Sequence, residues 1–252
     1  MLIGIVSALY EEINLIKNDL AMDHKEMVGT REYYIGSLYG KDVVMVYSNC
    51  GKVSAATTLT ILIERYHVDL VIFTGVAGGA EESLNVGDVV IASGLLQHDF
   101  DVSKLLNFPK YDNSLLGKSV FEIKEQYVAL LNQIINDYLI EDFHSDIKPE
   151  ILDRYQLTNP KVVSGIIASG DQFISDFDKI KELRDGIKNL KCVDMESASA
   201  AQICNEYNRD FIVFRIISDK ADKNADISFD KFLNEVATIY SKGIIKKLLQ
   251  QL

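Results

Sequence analysis

Short apolar segments alternate with helical segments along most of this chain. Each apolar segment is rich in Val, Ile and Leu and is only long enough for a strand. Strands of this kind are buried on both faces of a parallel or mixed sheet when helices lie between them in the sequence. The predicted strands are residues 2–7, 32–38, 42–48, 68–74, 86–92, 162–168, 191–195 and a run from 211. The predicted helices are residues 9–20, 52–66, 120–139, 178–190, 197–207 and 229–252. The pattern predicts an α/β fold.

The length of the chain fits one folded unit. With 252 residues and 48% hydrophobic content it can bury a large core, so we expect a single domain over residues 1–252. The pattern loosens within about 110–160, where we expect a peripheral insertion. The apolar runs fall far short of the ~18 residues that suggest a membrane helix. We expect no membrane segment, no secretion signal at the N-terminus and a cytoplasmic protein.

Charge and cysteine content exclude several classes of partner. The formal net charge is −11, so a phosphate backbone or an anionic membrane would be repelled. We therefore expect no nucleic acid partner and a small, near-neutral ligand. Cys50, Cys192 and Cys204 are scattered and form no CxxC pair, which argues against disulfides and thiolate metal sites. The four histidines show no ligand spacing, so no catalytic metal is expected.

An arginine interrupts the apolar run that begins at residue 211. Arg215 follows Phe214 and precedes two isoleucines, and the run ends at Ser218 and Asp219. A buried guanidinium costs several kcal/mol unless a partner neutralises it. Two interpretations stay open at this point: Arg215 belongs to a functional site, or it forms a structural ion pair with Glu196 or Asp219.

The carboxyl ends of the predicted strands define a candidate site, because ligands of open α/β sheets bind there. Glu196 and Asp219 each follow an apolar strand rather than lying on a solvated face. Glu12 falls in the first turn of a helix, where a carboxylate also favours the helix dipole, so spacing alone leaves its role open. Residues 75–79, GVAGG, do not have dinucleotide-binding spacing. Two interpretations stay open: a turn where the backbone passes close to another group, or a surface against which a sugar or base packs.

Several motifs in one order resemble the nucleoside phosphorylase/nucleosidase superfamily, and most closely its 5′-methylthioadenosine/S-adenosylhomocysteine nucleosidases. They are IGIVSALYEE, CGKVSAA, TGVAGGAEESLNVGDVVIA, HDFDV, SGDQFI, VDMESASAAQIC, FRIISDKAD and ISFDKFL. The resemblance implies a three-layer αβα sandwich around a mixed β-sheet, a homodimer, no cofactor, and hydrolysis of the N-glycosidic bond of an adenine nucleoside.

The resemblance also implies roles for three carboxylates. Asp219 matches the general acid that protonates N7 of adenine, which requires a site that keeps the carboxyl group protonated. Glu12 matches the carboxylate that activates the attacking water. Glu196 matches the residue that binds the ribose 2′ and 3′ hydroxyls and offsets oxocarbenium charge.

The remaining implied site residues surround the substrate. Met195 matches a residue beneath the ribose, Phe173 the ring stacked on adenine, Ile174 the backbone that reads the base edge, Arg215 a neighbour of the water and Glu12, and Phe229 a wall for the 5′ substituent. The other substrate-binding positions implied are Ala8, Val76, Ala77, Gly78 and Ser218.

Two departures from the family pattern bear on the substrate. Val76 stands where the family often has a serine that contacts the water, and Leu105 and Asn107 stand where the partner subunit's aromatic residues are expected. The motifs are compatible with three functions. Hydrolysis is favoured over phosphorolysis because arginines are few and only Arg215 is predicted near a strand end. A binding protein without turnover is disfavoured because Glu12, Glu196 and Asp219 are all present. Futalosine-type and other purine nucleosidases stay open.

Overall fold

The computed structural model describes residues 1–220 and 229–252, and the side chains of Leu105 and Leu106 lie outside the described part. The last two residues of the FRIISDKAD motif and the first two of ISFDKFL are therefore not covered. The described strands are β1 (Ile3–Ser7), β2 (Ala21–Val28), β3 (Arg31–Leu38), β4 (Lys41–Tyr47), β5 (Leu70–Phe73), β6 (Val76–Gly79), β7 (Val89–Gln97), β8 (Phe121–Glu122), β9 (Val162–Ser169), β10 (Leu190–Asp194) and β11 (Asp210–Asp219).

The helices lie between these strands and at the C-terminus. They are α1 (Tyr10–Lys17), α2 (Lys52–Tyr66), α3 (Ser103–Leu106), α4 (Glu125–Glu141), α5 (Phe143–Asp146), α6 (Pro149–Tyr155), α7 (Phe177–Gly186), α8 (Ser197–Glu206), α9 (Phe229–Phe232) and α10 (Thr238–Gln251). A 3₁₀ turn covers Ser114–Leu116, and a π-helical segment, Leu233–Ala237, joins α9 to α10.

The strands form one mixed sheet in the order β2-β3-β4-β1-β5-β11-β6-β10-β9-β7-β8. The centre is parallel, with β1 beside β4 and β5, and β11 beside β5 and β6. Strand β11 also pairs antiparallel with β7. The pairings among β11, β6, β10, β9 and β7 therefore close into a ring, so this half of the sheet curls into a small barrel.

Helices cover both faces of the sheet. One apolar cluster packs α1, α4 and α10 against the strands, through Ile13, Ile134 and Ile244 among others. A second cluster packs α2 and α8 on the opposite face, through Leu62 and Ala201. The predicted α/β fold, with a mixed sheet between two layers of helices, is confirmed.

Several boundaries differ from the sequence prediction. Residues 75–79, predicted as a turn, contain strand β6, because the neighbouring strands β10 and β11 supply pairing that Gly and Ala do not favour locally. Strand β2 was not predicted, since AMDHKEMV has no apolar alternation, and it is a mostly exposed edge strand. Helix α4 begins at Glu125, five residues later than predicted.

The segment within 110–160, predicted as a peripheral insertion, divides between core and surface. Helix α4 buries Leu131, Ile134, Ile135 and Tyr138 in the core beside α10. All seven residues of α6 are described, and they are half-buried or exposed. Among the described residues, no helix has both the length and the apolar character needed to cross a bilayer.

Candidate active site

A cavity opens where β1, β9, β10 and β11 end. It brings together twelve of the thirteen residues predicted for the site. They are Ala8, Glu12, Val76, Ala77, Gly78, Phe173, Ile174, Met195, Glu196, Ser218, Asp219 and Phe229. The exception is Arg215, which is not among the lining residues. The chain thus contributes to one cavity from near both of its ends.

Glu12 is held at the cavity wall by backbone amides. Its Oε2 accepts hydrogen bonds from the N–H groups of Ala8 and Leu9 at 2.9 and 2.8 Å, and Oε1 accepts one from Val76 at 3.0 Å. The side chain is 2% exposed. Burial raises the pKa of Glu12, and the three amides and the positive charge of Arg215 oppose that rise. The carboxylate is therefore fixed in position and more basic than an exposed one.

Gly75 lets β5 lead into β6 beside this carboxylate. Its φ is +152°, and a Cβ there would lie 2.5 Å from Oε1 of Glu12. Any side chain at this position would collide with Glu12 and strain the backbone. The glycine-rich segment thus serves close packing against a functional group, one of the two uses that its sequence predicts.

Glu196 lies opposite, at the start of α8. It is 6% exposed, and its Oε1 accepts a hydrogen bond from the backbone N–H of Gly51 at 2.7 Å. Burial, with the negative charge of Asp194 adding to it, raises the pKa of Glu196 to about 8. A proton or a group that donates hydrogen bonds would stabilise this carboxyl group. Glu196 is therefore suited to bind hydroxyl groups.

Arg215 differs from its prediction. It lies inside β11 rather than at a strand end, its side chain is 1% exposed, and its Nε donates to Oδ2 of Asp194 at 2.9 Å. The structural partner expected was Glu196 or Asp219. The guanidinium also lies over the ring of Phe73, 4.5 Å from its centroid. Arg215 thus acts on the cavity through its charge and through Asp194.

Asp219 is the last residue of β11, as its place after an apolar run predicts. It is 8% exposed, and the Ser218 hydroxyl donates to its Oδ2 at 2.7 Å. Strand β11 is held here by β6, whose Ala77 and Gly78 line the same cavity. The sheet therefore fixes Asp219 while leaving it in contact with the cavity.

Two phenylalanines form an apolar wall of the cavity. The rings of Phe173 and Phe229 meet edge to face, with centroids 6.5 Å apart. Phe173 is 54% exposed and lines the cavity, so its ring is accessible to a ligand there. Beside them, Ile174 is buried and Gln172 contributes a polar side chain.

Five lining residues were not singled out from the sequence: Leu9, Cys50, Gln172, Val193 and Asp194. The first three lie in segments that follow predicted strands, where the site is expected. Gln172 and Asp194 stand inside motifs that the sequence analysis quotes, SGDQFI and VDMESASAAQIC. An acidic residue at the end of a predicted strand is the signal that could have identified Asp194. Leu9 and Cys50 likewise stand inside quoted motifs, IGIVSALYEE and CGKVSAA.

Comparison with known proteins is consistent with this geometry. The family model described as the phosphorylase superfamily matches residues 2–250. This chain belongs to that superfamily. The resemblance drawn from its motifs is confirmed.

The members of the superfamily that are similar to this chain include nucleosidases and a futalosine hydrolase. A 5′-methylthioadenosine/S-adenosylhomocysteine nucleosidase of Bacillus thuringiensis is 37% identical, and the match covers 100% of both chains. The crystal structure of an S-adenosylhomocysteine nucleosidase from Streptococcus pyogenes, in complex with 5-methylthiotubericidin, matches with a TM-score of 0.83 and 31% identity over 100% of this chain and 97% of that one. A futalosine hydrolase mutant of Helicobacter pylori matches with a TM-score of 0.85 and 30% identity over 100% of both chains.

Proposed function

We propose that this protein hydrolyses the N-glycosidic bond of adenine nucleosides, with 5′-methylthioadenosine and S-adenosylhomocysteine as substrates. The products are adenine and the 5′-substituted ribose. One observation carries the proposal: Glu12, Glu196 and Asp219 come from three separate elements and line one cavity, beside the aromatic pair Phe173 and Phe229. The relatives named as nucleosidases of these two compounds support it.

Asp219 is the proposed general acid. A purine anion is a poor leaving group, and a proton delivered to N7 turns it into neutral adenine. The Ser218 hydroxyl donates a hydrogen bond to Oδ2 at 2.7 Å and helps to orient the carboxyl group. Phe173 stacks on the adenine, and the backbone at Ile174 reads the edge of the base.

Glu12 is the proposed base that activates water. Its three amide contacts prevent the carboxylate from rotating, and its raised pKa makes it a stronger proton acceptor near neutral pH. Val76 contributes its N–H to Glu12 and has no hydroxyl for the water, so this position adds no side-chain hydrogen bond to the nucleophile.

Glu196 is the proposed ligand of the ribose hydroxyls. In its ionised form, Glu196 accepts hydrogen bonds from the 2′ and 3′ hydroxyls and offsets the positive charge that develops on the sugar. Met195 packs beneath the ribose, and Ala8, Ala77, Gly78 and Phe229 complete the walls around the nucleoside.

Phosphorolysis is the less favoured reaction. Of the described residues that line the cavity, none is a lysine or an arginine. Arg215 is already paired with Asp194, and Glu12 and Glu196 would repel a phosphate dianion. Water is therefore the better nucleophile for this cavity.

Hydrolysis of futalosine is the second candidate function. It is favoured by the similarity to the H. pylori futalosine hydrolase, whose match covers this chain completely. The two candidates share the purine nucleoside core and differ in the groups attached to it. The same three carboxylates would serve either reaction, so only substrate competition separates them.

The decisive experiment is an incubation of the purified protein with methylthioadenosine, with and without inorganic phosphate. Products are followed by chromatography and mass spectrometry, and kcat/KM is measured in parallel for S-adenosylhomocysteine and futalosine. Adenine and free methylthioribose in both tubes are expected. Strict phosphate dependence would contradict hydrolysis, a higher kcat/KM for futalosine would reassign the substrate, and no release of base would favour a binding role.

Three further properties belong to the same proposal: a homodimer, a cytoplasmic location and a part in methionine salvage. The family resemblance supports all three. The free thiols of Cys50, Cys192 and Cys204 agree with a reducing compartment. Light scattering on the purified protein should give twice the 28.3 kDa chain mass, and a monomer mass would contradict the dimer.

A further inference from the structure

A buried charged cluster lies behind Glu196. The side chains of Arg215 and Asp194 are 1% and 2% exposed, and they are joined by the 2.9 Å contact from Nε to Oδ2. Arg215 Nη2 also donates to the Ser197 hydroxyl at 2.6 Å, and that hydroxyl donates to Oδ2 of Asp194. The three side chains therefore form a closed ring of hydrogen bonds, which holds each of them in one orientation.

The other oxygen of Asp194 holds the backbone that carries Glu196. Oδ1 accepts hydrogen bonds from the N–H groups of Glu196 and Ser197, both at 3.3 Å, and from the hydroxyl of Ser169. Glu196 itself has φ −135° and ψ −42°, outside the helical conformation of α8. This backbone conformation directs its side chain away from α8 and towards the N–H of Gly51.

Building on the proposed function, we propose that Asp194 is the positioning residue of this site. Held by Arg215 and Ser197, it fixes the Glu196 carboxyl group for the sugar hydroxyls and places a second acidic side chain beside it. Asp194 acts through Glu196 and is not itself assigned a contact with the substrate.

The charges around Glu196 make this role measurable. The titratable groups that face it are Asp194 in β10, Arg215 in β11, Glu12 in α1 and Cys50 before α2, and Asp219 lines the same cavity. Burial and then Asp194 raise the pKa of Glu196 to about 8, whereas Arg215 opposes the rise. Removing the charge of Asp194 while Arg215 remains should therefore lower the pKa of Glu196.

The test measures the titration of Glu196 without substrate. The free energy of unfolding is determined between pH 5 and 9 for the protein and for Glu196→Gln, and the pH dependence of their difference reports the ionisation of Glu196. The same pair is measured in an Asp194→Asn background. In the Asp194→Asn background, we expect the midpoint of the Glu196 titration to fall by at least about one pH unit. The acidic limb of kcat/KM for methylthioadenosine should likewise move to lower pH.

Asp88→Asn is the matched control. Asp88 is 2% exposed and also accepts two backbone hydrogen bonds, from Asn85 and Lys161 at 2.9 Å, but it lies outside the cavity. We expect this substitution to lower stability without moving the titration of Glu196. If Asp194→Asn behaves in the same way, Asp194 is only structural and the proposal is overturned.

Ser197→Ala covers the case in which Asp194→Asn fails to fold. It opens the ring but keeps both charges, so we expect KM to rise several-fold with a smaller change in kcat. An unchanged KM would overturn the positioning role. If the unsubstituted protein releases no adenine, the proposed function fails, yet the substrate-free titration still decides whether Asp194 controls Glu196.

Discussion

Single side chains in this site owe their chemistry to burial and to backbone groups. Glu12 is a charged residue in an almost solvent-free position, stabilised by three N–H groups rather than by a cation in contact with it. Glu196 has one such group, from Gly51, and a negative neighbour. The two glutamates therefore respond differently to pH and to substitution.

Replacing Glu12 by Gln should abolish most of the turnover. The amide cannot accept a proton from water, and its NH₂ group would face one of the backbone donors. We expect kcat to fall by about 10²–10⁴-fold with little change in KM, and stability to fall by about 1–3 kcal/mol. Steady-state kinetics and urea unfolding measure both effects. The neighbouring Glu11→Gln is the control, and equal losses in the two variants would contradict the role of Glu12.

Replacing Glu196 by Gln should change how stability depends on pH. Because the folded-state pKa of about 8 lies above the unfolded value of about 4.3, the neutral carboxyl group favours folding at low pH. That contribution is complete below about pH 4.3 and is lost as pH rises towards 8. Relative to Glu196→Gln, the unsubstituted protein should lose about 1.4 kcal/mol per pH unit in this window. Chemical unfolding at several pH values measures it, and a constant difference would contradict the raised pKa.

At the scale of elements, the site depends on the close packing of strands and helices. Strand β6 joins β11 to β10, and so sets the distance between Asp219 and Glu196. On the other side of the sheet, α10 packs against α4 and α1 and supports the helix that carries Glu12. Close contacts in these packed layers should be sensitive to a single added carbon.

Gly243 is such a contact. A Cβ at this position of α10 would lie 2.1 Å from the ring of Tyr138 in α4. Overpacking costs about 1–3 kcal/mol, more than the ~1 kcal/mol that Gly→Ala gains in a helix, so Gly243→Ala should destabilise the protein. Thermal unfolding measures the loss. Combining Gly243→Ala with Tyr138→Leu removes the ring and should recover part of the lost stability. A Gly243→Ala variant that is more stable than the unsubstituted protein would contradict the packing argument.

At the scale of the whole molecule, the cavity links distant parts of the chain. Ala8 lies near the N-terminus and Phe229 near the C-terminus, and both line it. A ligand bound there contacts elements that separate when the protein unfolds. Ligand binding and global stability should therefore be coupled.

We expect 5-methylthiotubericidin, the ligand of the S. pyogenes structure, to stabilise the protein as a whole. At a hundred times its Kd, a ligand that binds only the folded state adds about 2.7 kcal/mol. Differential scanning fluorimetry across ligand concentrations measures the rise in Tm. Phe173→Ala should reduce the rise by removing the stacking surface, whereas Phe177→Ala, at an exposed position outside the lining, should not. Equal responses of the two variants would contradict stacking at Phe173.

The sequence by itself determined the fold class, and its motifs predicted most of the residues that line the cavity. Apolar periodicity is a local property, so it identified the strands and helices of an α/β protein, and the positions after strands identified Glu196 and Asp219. It could not identify β2, which is mostly exposed and has no apolar alternation, or β6, whose pairing comes from β10 and β11, strands distant in the sequence.

Only the tertiary structure decided the partner of Arg215. That choice depends on the register of β10 and β11, which meet through β6 and are separated in sequence by α8. The same packing decided the state of the carboxyl groups. Desolvation by residues distant in sequence raises the pKa of Glu12 and Glu196, and no local pattern encodes it.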